Sequence, residues 1–138
     1  DAALFSKIGE FIEMAVKAHL EKKYFIERLL SLGEKGPLAL LNMNKDGSPY
    51  LKMPRASFLI GMVGVNELVQ FHTGEELHTS KDAFKFGLKV IAHMHLVAKK
   101  LSQKHHMRFV LEQTPAESTA YRFAKLDLEH FRSEASMW

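Results

Sequence analysis

The sequence predicts an α/β fold, and three observations carry that prediction. Segments with helical periodicity alternate with short apolar runs, and no clean hairpin joins one run to the next. That pattern argues for a sheet with helices covering both faces. The 138 residues are 46% apolar and 25% charged, with 10 Phe, enough for one domain with a real core. Some periodic segments are also punctuated: Ser, Thr or Asp opens two of them, near residues 80 and 114, and Gly stops two others, near residues 33 and 74.

Ala2–Leu32 is the longest helical pattern. Leu4, Ile8, Phe11, Ala15, Ala18, Phe25 and Leu29 form its stripe, widened by Ile12, Leu20, Ile26 and Leu30. Gly33 and Gly36-Pro37 end it. His19 lies beside this stripe with no second ligand one turn away, so it reads as packed or half-exposed. Leu38–Leu41 is consistent with a buried strand, with a helical turn as the alternative. Asn44-Lys45-Asp46-Gly47 carries an Asp-Gly turn signal, and Pro49–Met53 returns as a second strand closed by Pro54.

Ser57–Ile60 is the next strand and runs into Gly61. Met62–His72 follows as a helix with Gly74 as its stop. Gly61 and Gly64 permit close backbone approach, to a neighbouring strand or to a ligand. Thr79 or Ser80, with Asp82, opens a helix running to about Gln103. Its expected buried stripe is Phe84, Leu88, Ile91, His95, Ala98 and Leu101, with Phe86, Val90, Met94 and Val97 alongside. Met107–Leu111 is a buried strand, Ala116–Lys125 a helix, and Asp127–Trp138 loses periodicity.

Composition excludes several classes. No apolar run approaches the ~20 residues of a membrane span, and the start lacks a signal peptide's basic-then-apolar order. Cysteine is absent, which rules out disulfides and thiol or thiolate-metal chemistry within these residues. None of the 8 His shows the spacing of a helical zinc site. Net charge is +3, spread rather than striped. The tightest basic group, Lys99, Lys100, Lys104, His105, His106 and Arg108, ends a helix, where cations complement the dipole. It lacks interleaved aromatics, so no direct nucleic-acid binding is expected. Asp rather than Met comes first, and helical periodicity begins almost at once, as in a piece cut from a longer chain.

The most informative stretch is Leu111–Lys125. Thr114, Pro115 and Glu117 read as a capping box with Pro at the first helical position. The first turn then offers N–H groups of Ala116, Glu117 and Ser118, plus the hydroxyls of Ser118 and Thr119. Such a helix start is either a well-capped terminus and nothing more, or an anion site, phosphate above all. Asn66 is likewise open between contacting a substrate and a local hydrogen bond within its helix start.

A resemblance weighs on both questions. Thr114-Pro115-Ala116-Glu117-Ser118-Thr119-Ala120, continuing to Asp127, resembles the segment after a barrel strand in anaerobic (class III) ribonucleoside-triphosphate reductases. Ile60-Gly61-Met62-Val63-Gly64-Val65-Asn66-Glu67 resembles a helix start of the same family. The two blocks come in the family's order and at about its spacing, and the likeness covers nearly the whole chain.

The resemblance implies part of a ten-stranded α/β barrel, with residues 1–138 a single fragment of the catalytic barrel domain. It implies an oxidoreductase of the anaerobic cytoplasm that makes deoxyribonucleotides for DNA replication. Thr114, Ala116, Glu117, Ser118 and Thr119 would bind the substrate phosphates, with Asn66 the polar residue nearest the substrate. The implied partners are a ribonucleoside triphosphate, ATP or dNTP effectors, a radical-generating activase and a second subunit of a homodimer. The activase would use S-adenosylmethionine and an iron–sulfur cluster to install a glycyl radical. That radical, the thiyl-radical cysteine and a four-cysteine zinc site all lie outside these residues, so this chain alone is expected to be inactive. Two rivals are another glycyl-radical enzyme, against which the Thr114–Thr119 turn speaks, and a stand-alone helical interaction module, supported by the Ala2–Leu32 pattern.

Overall fold

A computed structural model of the chain describes residues 2–43, 46 and 48–135. Six α-helices and two strands are seen among them: α1 Ala2–Leu30, α2 Ala39–Asn42, β1 Ser57–Met62, α3 Val65–Thr73, α4 Lys81–His105, β2 Arg108–Gln113, α5 Glu117–His130 and α6 Arg132–Ala135. The strands form a parallel two-stranded sheet, so the fold is α/β and helix-rich. The α3–α4 segment is the crossover that a parallel pair requires.

The chain divides into two compact units, Asp1–Ile60 with Lys89–Leu111, and Gly61–Leu88 with Glu112–Trp138. The first holds a continuous core of Ile12, Val16, Met53, Phe58, Ile60, Ala98, Leu101, Met107 and Phe109, flanked by Ile8, Leu20, Ile26, Leu30, Met94 and Val97. Alternation along β1 buries Phe58 and Ile60 and leaves Leu59 on the opposite, uncovered face. His93 Nε2 lies 3.0 Å from the Phe5 carbonyl, with the two rings edge to face.

His19 has a specific task in this unit. Its Nε2–H donates to the Leu59 carbonyl at 2.8 Å, and its ring meets Phe58 edge-on. Carbonyls alternate sides along a strand, and that of Met62 accepts the Thr114 N–H at 3.2 Å on the β2 side. The Leu59 carbonyl, an odd number of residues earlier, therefore faces the other edge of β1, which pairs with no strand among the described residues. His19 occupies that edge where another strand's N–H would otherwise sit.

The second unit is organised by the α3–α4 turn. Gly74 closes α3 in the left-handed conformation, and Ser80 Oγ accepts the Ala83 N–H as the cap of α4. Val69 and Ala83 are fully buried there.

Several expectations are corrected. Leu38–Leu41 is no strand: residues 39–42 form the short α2, and Leu40 is 80% exposed. Asn42 Nδ2 donates to the Leu30 carbonyl, which ties that turn to the end of α1. Pro49–Met53 is no strand either; Met53–Arg55 is a 3-10 turn. Pro54 has its φ fixed near a helical value and no N–H for a ladder, so it starts a turn more readily than it closes a strand. The Asn44–Gly47 turn lies largely outside the described residues.

Helix registers shift as well. In α1 the buried residues are Ile12, one of the widening positions, and Val16, which is in neither set; Ile8, Leu20, Ile26 and Leu30 pack half-buried beside them, while Phe11 and Phe25 are exposed. In α4 Ala98, Leu101 and the flanking Val90 are buried as expected, joined by Ala83 and Gly87, whereas Phe84, Leu88 and His95 face outward. α3 starts at Val65 rather than Met62, and α5 runs on to His130. Among the described residues no helix is long and apolar enough to cross a membrane.

Candidate functional site

Parallel strands bring their C-terminal ends to one edge of the sheet, where α/β folds place their ligands. Here that edge carries the turns after β1 and β2, and both resembling blocks meet on it. Thr114 extends the ladder one residue beyond β2 by donating its N–H to the Met62 carbonyl. Directly beside it, a Cβ on Gly61 would overlap the Thr114 hydroxyl and lie 3.3 Å from the Thr114 Cβ. Gly61 thus serves the close approach that its sequence suggests.

Gly64 serves a different need. Its φ is +80°, the left-handed conformation of the residue preceding α3, and a Cβ there would meet only the Glu67 carboxylate at 3.7 Å. Backbone freedom, not space, calls for glycine at this position.

Asn66 sits half-buried in the first turn of α3. Its Oδ1 accepts the Leu77 N–H at 3.0 Å, a bond that reaches across the α3–α4 turn rather than within the helix start. Leu77 in turn covers Gly87 of α4, where a Cβ would overlap its Cδ2 and lie 3.4 Å from Val69 Cγ2. Leu77 and Gly87 were not singled out from the sequence. The available signal was a glycine inside a strong helical pattern, which costs propensity and so suggests close packing.

The start of α5 differs from the capping box read from the sequence. The helix begins at Glu117, Ala116 precedes it as a cap without a side-chain bond, and Glu117 has φ +28°. Thr114 is held by β1 instead, so its side chain is not at the helix terminus. Thr119 and Ala120 donate their N–H groups to the Ala116 carbonyl at 2.6 and 3.1 Å. The N–H groups of Glu117 and Ser118 come earlier in the first turn, where helix geometry provides no acceptor. Ser118 is exposed and Thr119 half-buried.

The nearby cations are occupied within α5, Arg122 over the Phe123 ring at 5.2 Å and Lys125 over the Tyr121 ring at 5.8 Å. The helix buries none of its residues, and Tyr121 and Leu128 are largely exposed. Among the described residues no group of three His, Asp or Glu side chains is placed to hold a metal ion.

The structure therefore gathers Gly61, Thr114 and the start of α5 along one connected strand end. It gives Asn66 a partner of its own. Comparison with known proteins agrees with the motif reading. Residues 1–137 match the model of the family described as anaerobic ribonucleoside-triphosphate reductase. The chain is 26% identical over 92 residues to the anaerobic ribonucleoside-triphosphate reductase of Escherichia coli (strain K12). That stretch is 66% of this chain and 13% of the relative, so the chain spans a small part of that protein's length. No solved structure gives a significant match. With the family's pattern followed along nearly its whole length, this chain belongs to the anaerobic ribonucleoside-triphosphate reductase family.

Proposed function

We propose that this chain forms part of the catalytic barrel of an anaerobic ribonucleoside-triphosphate reductase, and that Thr114–Thr119 cradles the substrate's triphosphate. The observation that carries the reading is the β2–α5 turn. A strand end pinned by Gly61 and Met62 delivers the open first turn of a 14-residue helix. The Glu117 and Ser118 N–H groups and the Ser118 and Thr119 hydroxyls are the donors for phosphate oxygens, at the positive end of the helix dipole. Ala116 contributes backbone only, and Thr114 sets the height of the turn. Asn66 lies in the first turn of α3, which follows the end of β1.

The uncovered face of β1 and the bare surface of α5 support a place inside a larger barrel, because all-parallel sheets are normally covered on both faces. In this reading the protein is cytoplasmic, acts as a homodimer, responds to ATP and dNTP effectors and depends on an activase. A glycyl radical and a cysteine thiyl radical would supply the reduction at the 2′ position. These residues include no cysteine, so neither a thiyl radical nor a four-cysteine zinc site fits here. The contribution of this segment is binding, orientation and dipolar stabilisation of charge.

The test is an amide-shift titration of the isotopically labelled chain with inorganic tripolyphosphate and, separately, with a nucleoside lacking phosphate. Tripolyphosphate is expected to move residues 116–119, and the nucleoside is not. Shifts that are equal and negligible for both would reduce the turn to an ordinary helix start. Deoxynucleotide formation by this chain alone would overturn its assignment as a cysteine-free section of the enzyme.

A further inference from the structure

The Asn66 side chain is committed before any substrate arrives. Its Oδ1 holds the Leu77 N–H at 3.0 Å, and Leu77 is wedged over Gly87 and beside Val69. Further bonds stiffen the same turn: Thr73 Oγ1 donates to the Val69 carbonyl at 2.8 Å, and Thr79 N–H to the Glu76 carbonyl at 3.1 Å. The start of α3 is therefore fixed from both sides. Toward α4 it is tied by Asn66 and Leu77. Toward β1 it follows the left-handed Gly64 and the Met62 carbonyl that takes the Thr114 N–H. All these residues belong to one compact unit.

We infer that Asn66 is a positioning residue of the triphosphate site, working through Leu77 to fix the start of α3 and with it the end of β1 on which Thr114 rests, rather than contacting the substrate. This rests on the triphosphate reading above and assigns Asn66 its part in it. The physical distinction is between acceptor and donor. Holding the Leu77 N–H uses the side-chain carbonyl oxygen alone. Touching a polyanion would use the Nδ2 donors, because an acceptor has nothing to offer phosphate oxygens. Aspartate keeps the acceptor, loses the donors and adds a negative charge, so it separates the two roles.

The experiment uses the activated full-length reductase containing this segment, carrying Asn66→Asp, Asn66→Ala or Gly87→Ala, well below each variant's melting temperature. The readouts are KM and kcat for the ribonucleoside triphosphate, with exchange of the Leu77 amide followed by mass spectrometry. Asn66→Ala is expected to raise KM about fivefold, the equivalent of one lost hydrogen bond, with kcat little changed and the Leu77 amide deprotected. Asn66→Asp restores most of the loss and keeps that amide protected. Gly87→Ala dislodges Leu77 without touching Asn66 and raises KM in the same direction, so the inference stays testable if Asn66→Ala does not fold. An Asp variant as impaired as Ala would show a donor contact to the substrate and overturn the inference. An unchanged KM in Asn66→Ala, or in Gly87→Ala where Asn66→Ala does not fold, would overturn it too. The triphosphate reading is checked separately through Ser118.

Discussion

Gly61 of β1 faces Thr114 at the end of β2 so closely that one added carbon would overlap the Thr114 hydroxyl. This close approach joins the two sequence blocks that resemble the family, one residue beyond the end of β2. Thr114 is β-branched and stiff about χ1, so relieving the overlap means leaving its rotamer or moving a strand. Gly61→Ala is expected to destabilise by roughly 1–3 kcal/mol, as overpacking does. Thr114→Ala in the same chain should return part of that loss. Chemical denaturation of the four members of this double-mutant cycle checks it, and additive effects would show that the two residues do not couple.

Gly64 and Gly9 make a matched pair with opposite expectations. Gly64→Ala places a side chain in the left-handed conformation, at a cost of about 1–2 kcal/mol. Gly9 lies inside α1 with nothing within 4 Å of an added Cβ. Gly9→Ala should stabilise by about 0.5–1 kcal/mol. Melting temperatures should therefore move in opposite directions, and a rise for Gly64→Ala would show that its backbone relaxes at little cost.

His19→Phe isolates the edge bond from the ring packing. The ring contact with Phe58 can persist, but the Leu59 carbonyl loses its donor. A loss of roughly 0.5–1.5 kcal/mol is expected, more if the carbonyl stays dry. Equal stability of the two proteins would mean that water replaces the imidazole at this edge.

α5 should be the least protected long helix of the isolated chain. It buries none of its residues, and a 14-residue helix without tertiary packing is marginal in water. Hydrogen exchange should be faster across α5 than across the central turns of α4, and should slow in the full-length enzyme. Similar protection in both settings would show that the helix needs no further covering.

Local signals carried much of the fold into the sequence. β1, β2, α3 and α4 follow from runs and caps that tertiary contacts reinforce: Ser80 caps α4, and Gly74 ends α3, as expected. The failures occur where tertiary contacts decide. Leu38–Leu41 has a strand's composition, but its backbone closes on itself and on the end of α1. Phe11, Phe25, Phe84 and Leu88 fit helical stripes, yet the core chose adjacent lines, because periodicity alone fixes a face only to within a residue. The capping box failed because the Thr114 N–H is drawn into the strand ladder by the Met62 carbonyl, a partner some fifty residues away, and the helix starts only at Glu117. At the site, the turn itself was legible, whereas the Asn66–Leu77–Gly87 arrangement depends on two helices closing on each other.

The claim that Thr114–Thr119 holds triphosphate is tested most directly by the KM for ribonucleoside triphosphate in the activated full-length enzyme carrying Ser118→Ala or Glu117→Gln. Ser118→Ala removes one donor and should raise KM about fivefold, more if the bond is charge-assisted, with little change in kcat. Glu117→Gln removes a carboxylate from the helix start that a polyanion would occupy, and should lower KM. The two variants moving KM in opposite directions is the predicted result. An unchanged KM in both would contradict the account.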